Sequence, residues 1–426
     1  MQTRPVPRDV STMGIFEDRE SAVRSYCRTW PTVFDRASGS WLYGDDGRAY
    51  LDFFTGASAL NYGHNNPALK RALLSYLADD RVIHSLDMFT TAKSEFLSAF
   101  DEIILQPRQL DYRVQFPGPA GTTAVEAALK LARKATDRTE VVAFDGGFHG
   151  MTLGALAVTS SKFHRGGAGI PLPHAVSLPF GCDLSSGDGS PGLEQLLLER
   201  GIRPDQVAAV IVETVQGEGG INVASPEWLS GLAQFSQQHG IILVVDDVQM
   251  GCGRTGPFFS FEAAGIEPDI VCLSKSISGY GLPLALTLIR QDLDIWKPGE
   301  HNGTFRGINP AFVTGKAALE TYWRDNQLQT STMAKGQRIA AALSELVMAV
   351  PGTPMRTRGC GMAHGLVFED GGLARKVSCA AFERGLLVET AGPGDEVVKL
   401  LAPLTASEAE INEGLAILAD AVQAVC

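Results

Sequence analysis

The strongest constraint on what this chain can fold into is an alternation. Short unbroken apolar runs are separated by stretches with helical periodicity. The runs are "YRVQF" (112–116), "VVAF" (141–144), "AAVIVE" (208–213), "IILVVDDV" (241–248), "IVCLS" (270–274) and "LALTLI" (284–289). Between them, "AVEAALKLARKA" (124–135) and "PEWLSGLAQFSQQHG" (226–240) repeat apolar residues every three or four positions. A strand that is apolar on both faces must be covered on both, and helices in the connections supply that cover. The pattern predicts an α/β fold with a mostly parallel sheet.

With 426 residues the chain exceeds one simple core, which predicts more than one domain. Near the N-terminus, "GSWLYGDDGRAYLDF" reads as a hairpin turning at Asp46-Gly47. Past residue 310 the pattern changes. A long helical stretch runs from about Ala311 into "MAKGQRIAAALSELV". The short strands "GCGMAHGLVF", "AFERGLLVET" and "EVVKLLAPL" follow, then a last helix, "SEAEINEGLAILADAVQAV". This predicts a smaller α/β unit, and the expected division is 1–64, 65–315 and 316–426. "GCDLSSGDGSPG" (181–192) reads as a polar surface loop.

Several function classes drop out on composition. A net charge of −12 makes nucleic acid an unsuitable partner, because phosphate binding needs clustered Lys and Arg. The seven cysteines are odd in number and form no C-x-x-C, so no zinc ribbon, redox motif or other metal site is expected. Free thiols fit a reducing compartment. The first twenty residues lack a continuous apolar stretch and no window holds eighteen apolar residues. Neither signal peptide nor membrane span is expected, and a cytoplasmic location is.

In open parallel sheets ligands sit at the carboxyl ends of strands. Four features collect there. "PGPAGTTAVEAALKLARK" (117–134) opens a helix with glycines and threonines. Thr122 or Thr123 can cap it, and a helix N-terminus with free N–H groups suits a phosphate; a plain capped helix would read the same way. In "FDGGFHGMT", Phe148 and His149 follow a strand through a double glycine, where an aromatic can lie on a planar ligand or simply close the core. Asp246 and Asp247 end the most apolar strand, where a carboxylate needs a partner: a protonated ring nitrogen or a neighbouring arginine. Lys275 stands just past the strand "IVCLS". A lysine there loses solvation, its pKa falls, and the neutral amine can attack a carbonyl carbon; a lysine snorkelling from a strand end is the alternative. Together the four describe a site for pyridoxal 5′-phosphate, which has an aldehyde, a phosphate, a flat ring and a ring nitrogen.

A competing motif is "GCGRTG" (251–256), which matches the dinucleotide fingerprint G-x-G-x-x-G. Its following segment, "PFFSFEAAGIEPD", is a poor crossover helix, with Pro257 at its head and Gly265 soon after. Asp269 begins a strand, whereas a ribose-binding acid ends one. A nicotinamide-dependent dehydrogenase is therefore disfavoured, and a cofactor-free binding protein would have no use for the lysine and aspartate together.

The motifs "GTTAVEAALKLAR", "FHG", "ETVQGEGG", "DDVQMGCGRTG", "LSKS" and "NGTFRGINP" resemble those of the class III aminotransferases, pyridoxal-phosphate enzymes of fold type I. The likeness runs from "DFFTGASALNYGHNNP" to "LLAPLT". It implies a large domain carrying the mostly parallel sheet and a small domain built from both chain ends. It implies that Lys275 forms the Schiff base, that Asp246 pairs with the ring nitrogen, and that Gln249 reaches the ring hydroxyl. Val248 and Phe148 take the two ring faces, and Gly121 and Thr122 the phosphate. His149 and Glu213 join the cofactor site, and Thr304 reaches the phosphate of a neighbouring subunit. That last role implies a homodimer or larger assembly with shared sites. The implied substrates are an amino acid and a keto acid or semialdehyde. An aminomutase or a racemase on the same scaffold is the neighbouring alternative.

Two positions depart from the family pattern. Relatives acting on γ-aminobutyrate carry an arginine after "HG", where this chain has Met151. Relatives also pair an arginine before "P-L-T" with a glutamate of "QGEGG". Here the glutamate is Glu218 and the cation is Lys399, which lacks the bidentate fork. The expectation is a Glu218–Lys399 pair that opens when glutamate binds.

Overall fold

A computed structural model describes residues 14–184 and 192–426. Most of the loop anticipated at 181–192 lies outside the described residues.

The central sheet has seven strands: β1 (Tyr112–Gln115), β2 (Glu140–Phe144), β3 (Ala175–Leu178), β4 (Val207–Val212), β5 (Ile242–Asp246), β6 (Ile270–Leu273) and β7 (Leu286–Arg290). Their order is β1-β7-β6-β5-β4-β2-β3. Neighbours are parallel except β7, which runs antiparallel to both β6 and β1. Each anticipated run became a strand to within two residues at either end. β3 had not been anticipated: it is a four-residue edge strand with only alternate residues buried, so it lacks the continuous apolar signal.

The sheet is covered on both faces, as the apolar runs require. Along β4, Ala209 and Ile211 pack with α1 (Gly121–Thr136) through Ala124, Val125, Ala128 and Leu131. Val210 and Val212 face the opposite core, with Leu229, Leu232 and Phe235 of α2 (Pro226–His239). Between β5 and β6 there is no crossover α-helix, only the single turn Glu262–Ala264. The glycine fingerprint at 251–256 thus has no helix to present to a pyrophosphate.

The helical pattern past Ala311 divides into α3 (Asn309–Tyr322) and α4 (Gln327–Ala349), with a break at 323–326 where the sequence pattern predicts one continuous stretch. Beyond them Met355–Cys360, Ala363–Phe368, Val397–Leu400 and Glu389–Ala391 form an antiparallel sheet in that order. The anticipated N-terminal hairpin is present, with Tyr43 opposite Ala49 and Gly47 at φ +83° in its turn. The short strand Leu386–Leu387 adds to it in parallel, beside Leu51 and Asp52. Both chain ends therefore meet in one smaller α/β layer, closed by α5 (Gly371–Glu383) and α6 (Glu408–Val425). Among the described residues no helix is long and apolar enough to cross a membrane.

Candidate active site

The segments that follow β1, β2, β4, β5 and β6 leave the same end of the sheet and converge. Lys275 stands one extended residue past β6. Its φ is +52°, a left-handed conformation that costs a non-glycine residue about 1–2 kcal/mol. Neighbouring serines hold it there. Ser274 Oγ donates to the Leu284 carbonyl (2.9 Å), and Ser276 Oγ donates to the Ser58 carbonyl (2.7 Å) while accepting the Asn61 N–H (3.0 Å). Strain clamped in this way concentrates at functional positions. Burial lowers the pKa of the ammonium, against the pull of Glu218, so a neutral amine is accessible.

Asp246 is the last residue of β5. Its Oδ2 lies 2.7 Å from His149 Nδ1, and its Oδ1 accepts the Val248 N–H at 3.2 Å. Burial disfavours the imidazolium, but the hydrogen bond and charge of Asp246, with Glu213 beyond, outweigh it and raise the His149 pKa. The partner of Asp246 within the chain is thus a histidine, not an arginine. Asp247 turns to the other side, where Ser260 donates to it through its N–H (3.1 Å) and its hydroxyl. Burial pushes the Asp247 carboxyl up to about 7. The two adjacent aspartates therefore do different work.

Glu213 follows β4 and is likewise pushed up to about 7 by burial; its Oε2 accepts the Phe148 N–H at 2.9 Å. That bond anchors the loop after β2. The same loop docks on α1. Thr122 Oγ1 and Thr152 Oγ1 are 2.7 Å apart, and the Thr152 hydroxyl donates to Glu126 Oε1 at 2.5 Å. Gly150 lies so close that a Cβ there would meet Thr122 Oγ1 at 2.4 Å. Of the two threonines, Thr123 serves the N-terminus of α1, and it does so from the third helical position. Ala120 holds the cap position, and Thr123 Oγ1 bonds back to it, accepting its N–H (3.3 Å) and donating to its carbonyl (2.6 Å). Gly121, the first helical residue, packs against the residue after the aspartates: a Cβ on it would stand 2.8 Å from Val248 Cγ1. Gln249 Nε2 donates to the Ala57 carbonyl (3.3 Å) and to Glu218 Oε1 (3.2 Å), while its Oε1 is buried with no partner among the described residues.

Lys399 is fully buried. Its Nζ lies 2.6 Å from Glu218 Oε1 and 3.0 Å from Glu389 Oε1. Burial alone would raise the Glu218 pKa, but Lys399 and Lys275 overcome that and hold it at about 2. Thr304 and Met151 stand apart. Thr304 is exposed, with its carbonyl accepting from His84 Nε2 at 2.7 Å, and Met151 is exposed beside the loop docked on α1.

Some residues at this cleft were not foreseen. Glu389 could have been: "VETAGPGDEVVKL" reads as a hairpin whose turn sets Glu389 opposite Lys399, as observed. Tyr26, from the N-terminal segment, lies near Glu389; burial and the carboxylates Glu389 and Glu218 raise the pKa of its phenol. Residues 55–58 all have positive φ, three of them non-glycine, and no local signal announces such a run. Arg254, from the glycine-rich segment, is fully buried and donates to Asn61 Oδ1 and to the Met362 carbonyl (3.2 Å), tying this region to the C-terminal sheet.

Comparison with known proteins adds to this geometry. The family model described as "Aminotransferase class-III" matches residues 24–422. A diaminobutyrate–2-oxoglutarate transaminase from Nocardia farcinica is 58% identical over 415 residues, covering 97% of this chain and 94% of the relative. One from Halalkalibacterium halodurans is 52% identical and covers 97% of each. The fold is shared with ornithine aminotransferase from Toxoplasma gondii (TM-score 0.82, 24% identity, 96% and 94% coverage). It is also shared with an S-selective transaminase from Arthrobacter sp. (TM-score 0.84, 23% identity, 97% and 98% coverage).

Proposed function

This chain belongs to the class III aminotransferases, and from that premise we propose that it moves the 4-amino group between L-2,4-diaminobutyrate and glutamate. Aspartate 4-semialdehyde and 2-oxoglutarate are the carbonyl partners that accept it. The observation that carries this is near-full-length identity above one half to relatives of that activity, on a chain that keeps the amine, carboxylate and phosphate-type features at one cleft.

The cofactor is pyridoxal 5′-phosphate. The residues fit it: Gln249 keeps a buried oxygen without a partner among the described residues, and Gly121 stands so close to Val248 that no side chain fits between them. When bound, the cofactor supplies an aldehyde that condenses with amines and a ring that accepts the electrons released on proton loss. Lys275 would hold the aldehyde end and Asp246 the ring nitrogen. Gln249 would take the ring hydroxyl, Val248 and Phe148 the ring faces, and Gly121 and Thr122 the phosphate. His149 fixes Asp246 from behind, so the carboxylate meets the ring nitrogen in one orientation. Glu213 fixes the backbone of Phe148. Lys275 Nζ, whose ammonium form burial disfavours, would take the proton from the substrate carbon that bears nitrogen. Glu218 and Lys399 form the pair that opens to admit the carboxylate of glutamate.

Thr304 would act on the phosphate of the partner subunit. Exposed Ile83, Leu86, Met88, Phe89 and Phe305 beside it support a homodimer or larger assembly. The seven cysteines are all unpaired, which supports the cytoplasm. We divide the chain at about 64 and at the 323–326 break, because α3 runs unbroken through 315/316. The stretches "RVQFPGPAGTTAVEAALKLARK" and "PGEHNGTFRGINPAFVTG" favour a diaminobutyrate enzyme of ectoine synthesis. A siderophore or peptide-antibiotic pathway would use the same product. Product analysis with glutamate and aspartate 4-semialdehyde tests the reading: 2-oxoglutarate and diaminobutyrate should appear in equal amounts. Turnover only with other amines would make it another ω-aminotransferase.

A further inference from the structure

We propose that Glu389 is the fixed neighbour of Lys399 and takes up a proton when the carboxylate of a dicarboxylic substrate displaces Glu218. Glu389 would then be a specificity-determining residue for the glutamate-side substrate. The inference rests on the reading above, in which Lys399 receives that carboxylate.

The two carboxylates on Lys399 are not equivalent. Glu389 and Lys399 are directly opposed on neighbouring antiparallel strands, so their side chains share a face and the pairing is built into the sheet. The Glu389 side chain is 4% exposed and that of Glu218 is 31% exposed. The backbone at Glu218 is pinned: its carbonyl accepts the Gly392 N–H at 2.9 Å, and Gly220 abuts Val397. Only the side chain of Glu218 is free to leave, and it faces the cleft. Glu389 has nowhere to go.

Charge counting gives the rest. At rest one ammonium serves two carboxylates. A substrate carboxylate at Lys399 would make three, with Glu218 displaced only to the rim. Uncompensated buried negative charge is relieved most readily by protonating the most buried carboxylate. The groups facing Glu389 are Lys399 from the adjacent strand, Glu218 from the glycine-rich loop, Lys275 from the turn after β6 and the phenol of Tyr26. Burial already pushes Glu389 up to about 7, with Lys399 opposing and Glu218 adding. Its Oε1 forms an ion pair with Lys399 Nζ at 3.0 Å. A cleft that must take a dicarboxylate in one half-reaction and a diamino acid in the other gains from such a toggle: its net charge follows its occupant.

The experiment is calorimetric binding of glutarate, an unreactive dicarboxylate, to the holoenzyme at pH 8 in two buffers of different ionisation heat. Wild-type protein should take up roughly half to one proton per site, and its affinity should weaken with rising pH, approaching tenfold per unit. In Glu389→Gln the uptake and the pH dependence should both vanish. Binding by the wild type with no proton uptake overturns the proposal and leaves the function intact, as does uptake that persists in Glu389→Gln. Undiminished glutarate binding by Lys399→Ala would instead remove the underlying reading.

Discussion

Replacing Gly121 with alanine is the most informative single change at the proposed cofactor cleft. The added Cβ would stand 2.8 Å from Val248 Cγ1 and 3.2 Å from Cγ2. Apolar carbons in contact prefer about 3.5–4.0 Å, so Val248 must move by several tenths of an ångström or α1 must lift. Neither is easy, because Gly121 begins a helix packed on the sheet and Val248 stands two residues past the end of β5. Overpacking of this kind costs about 1–3 kcal/mol. Alanine recovers at most about 1 kcal/mol of helix propensity, and less at a first position. In the proposed site Val248 backs the cofactor ring and the Gly121 N–H meets the phosphate, so the displacement falls where the ligand sits. A loss of about 1.4 kcal/mol is tenfold in affinity. Titrating cofactor-free protein with pyridoxal phosphate and following the visible band should therefore show binding weakened about tenfold. The same substitution in a Val248→Ala background should add almost nothing, because the clashing methyls are gone. Equal effects in both backgrounds, or none in the wild type, would refute the argument.

Lys399→Ala should lower kcat/KM of the glutamate half-reaction about tenfold or more and that of diaminobutyrate much less, read by single-turnover absorbance with each donor; equal losses would count against the carboxylate role. Mixed dimers of Lys275→Ala and Thr304→Ala chains should recover activity that neither parent shows, since one of their two sites is intact; failure to complement would place Thr304 outside a shared site. Asp247 is held at about 7 when folded, above its ordinary unfolded value of about 3.9. The folded state therefore binds more protons between pH 4 and 7, and this contribution is fully present below pH 4 and lost as pH rises through 7. Asp247→Asn should gain on the wild type by no more than about 4 kcal/mol across that window in urea unfolding. A difference that stays constant with pH would show that the carboxyl titrates normally.

What the sequence determined by itself was whatever local periodicity and residue chemistry can encode. Continuous apolar runs demanded a sheet covered on both faces, and glycines, aspartate and lysine at the strand ends marked the reactive edge. The signal failed where it was too short or interrupted: at β3, a half-buried edge strand, and at 323–326, where α3 and α4 share one apolar pattern. Tertiary structure alone decided the partnerships. His149 rather than an arginine meets Asp246, and Glu389 stands beside Glu218 on Lys399. Ser274 and Ser276 clamp the left-handed Lys275 through carbonyls remote in the chain. The physical reason is that burial, and the charged partners brought together by it, belong to a place in the folded molecule, and residues 97 or 181 positions apart reach that place only once the chain has closed around it.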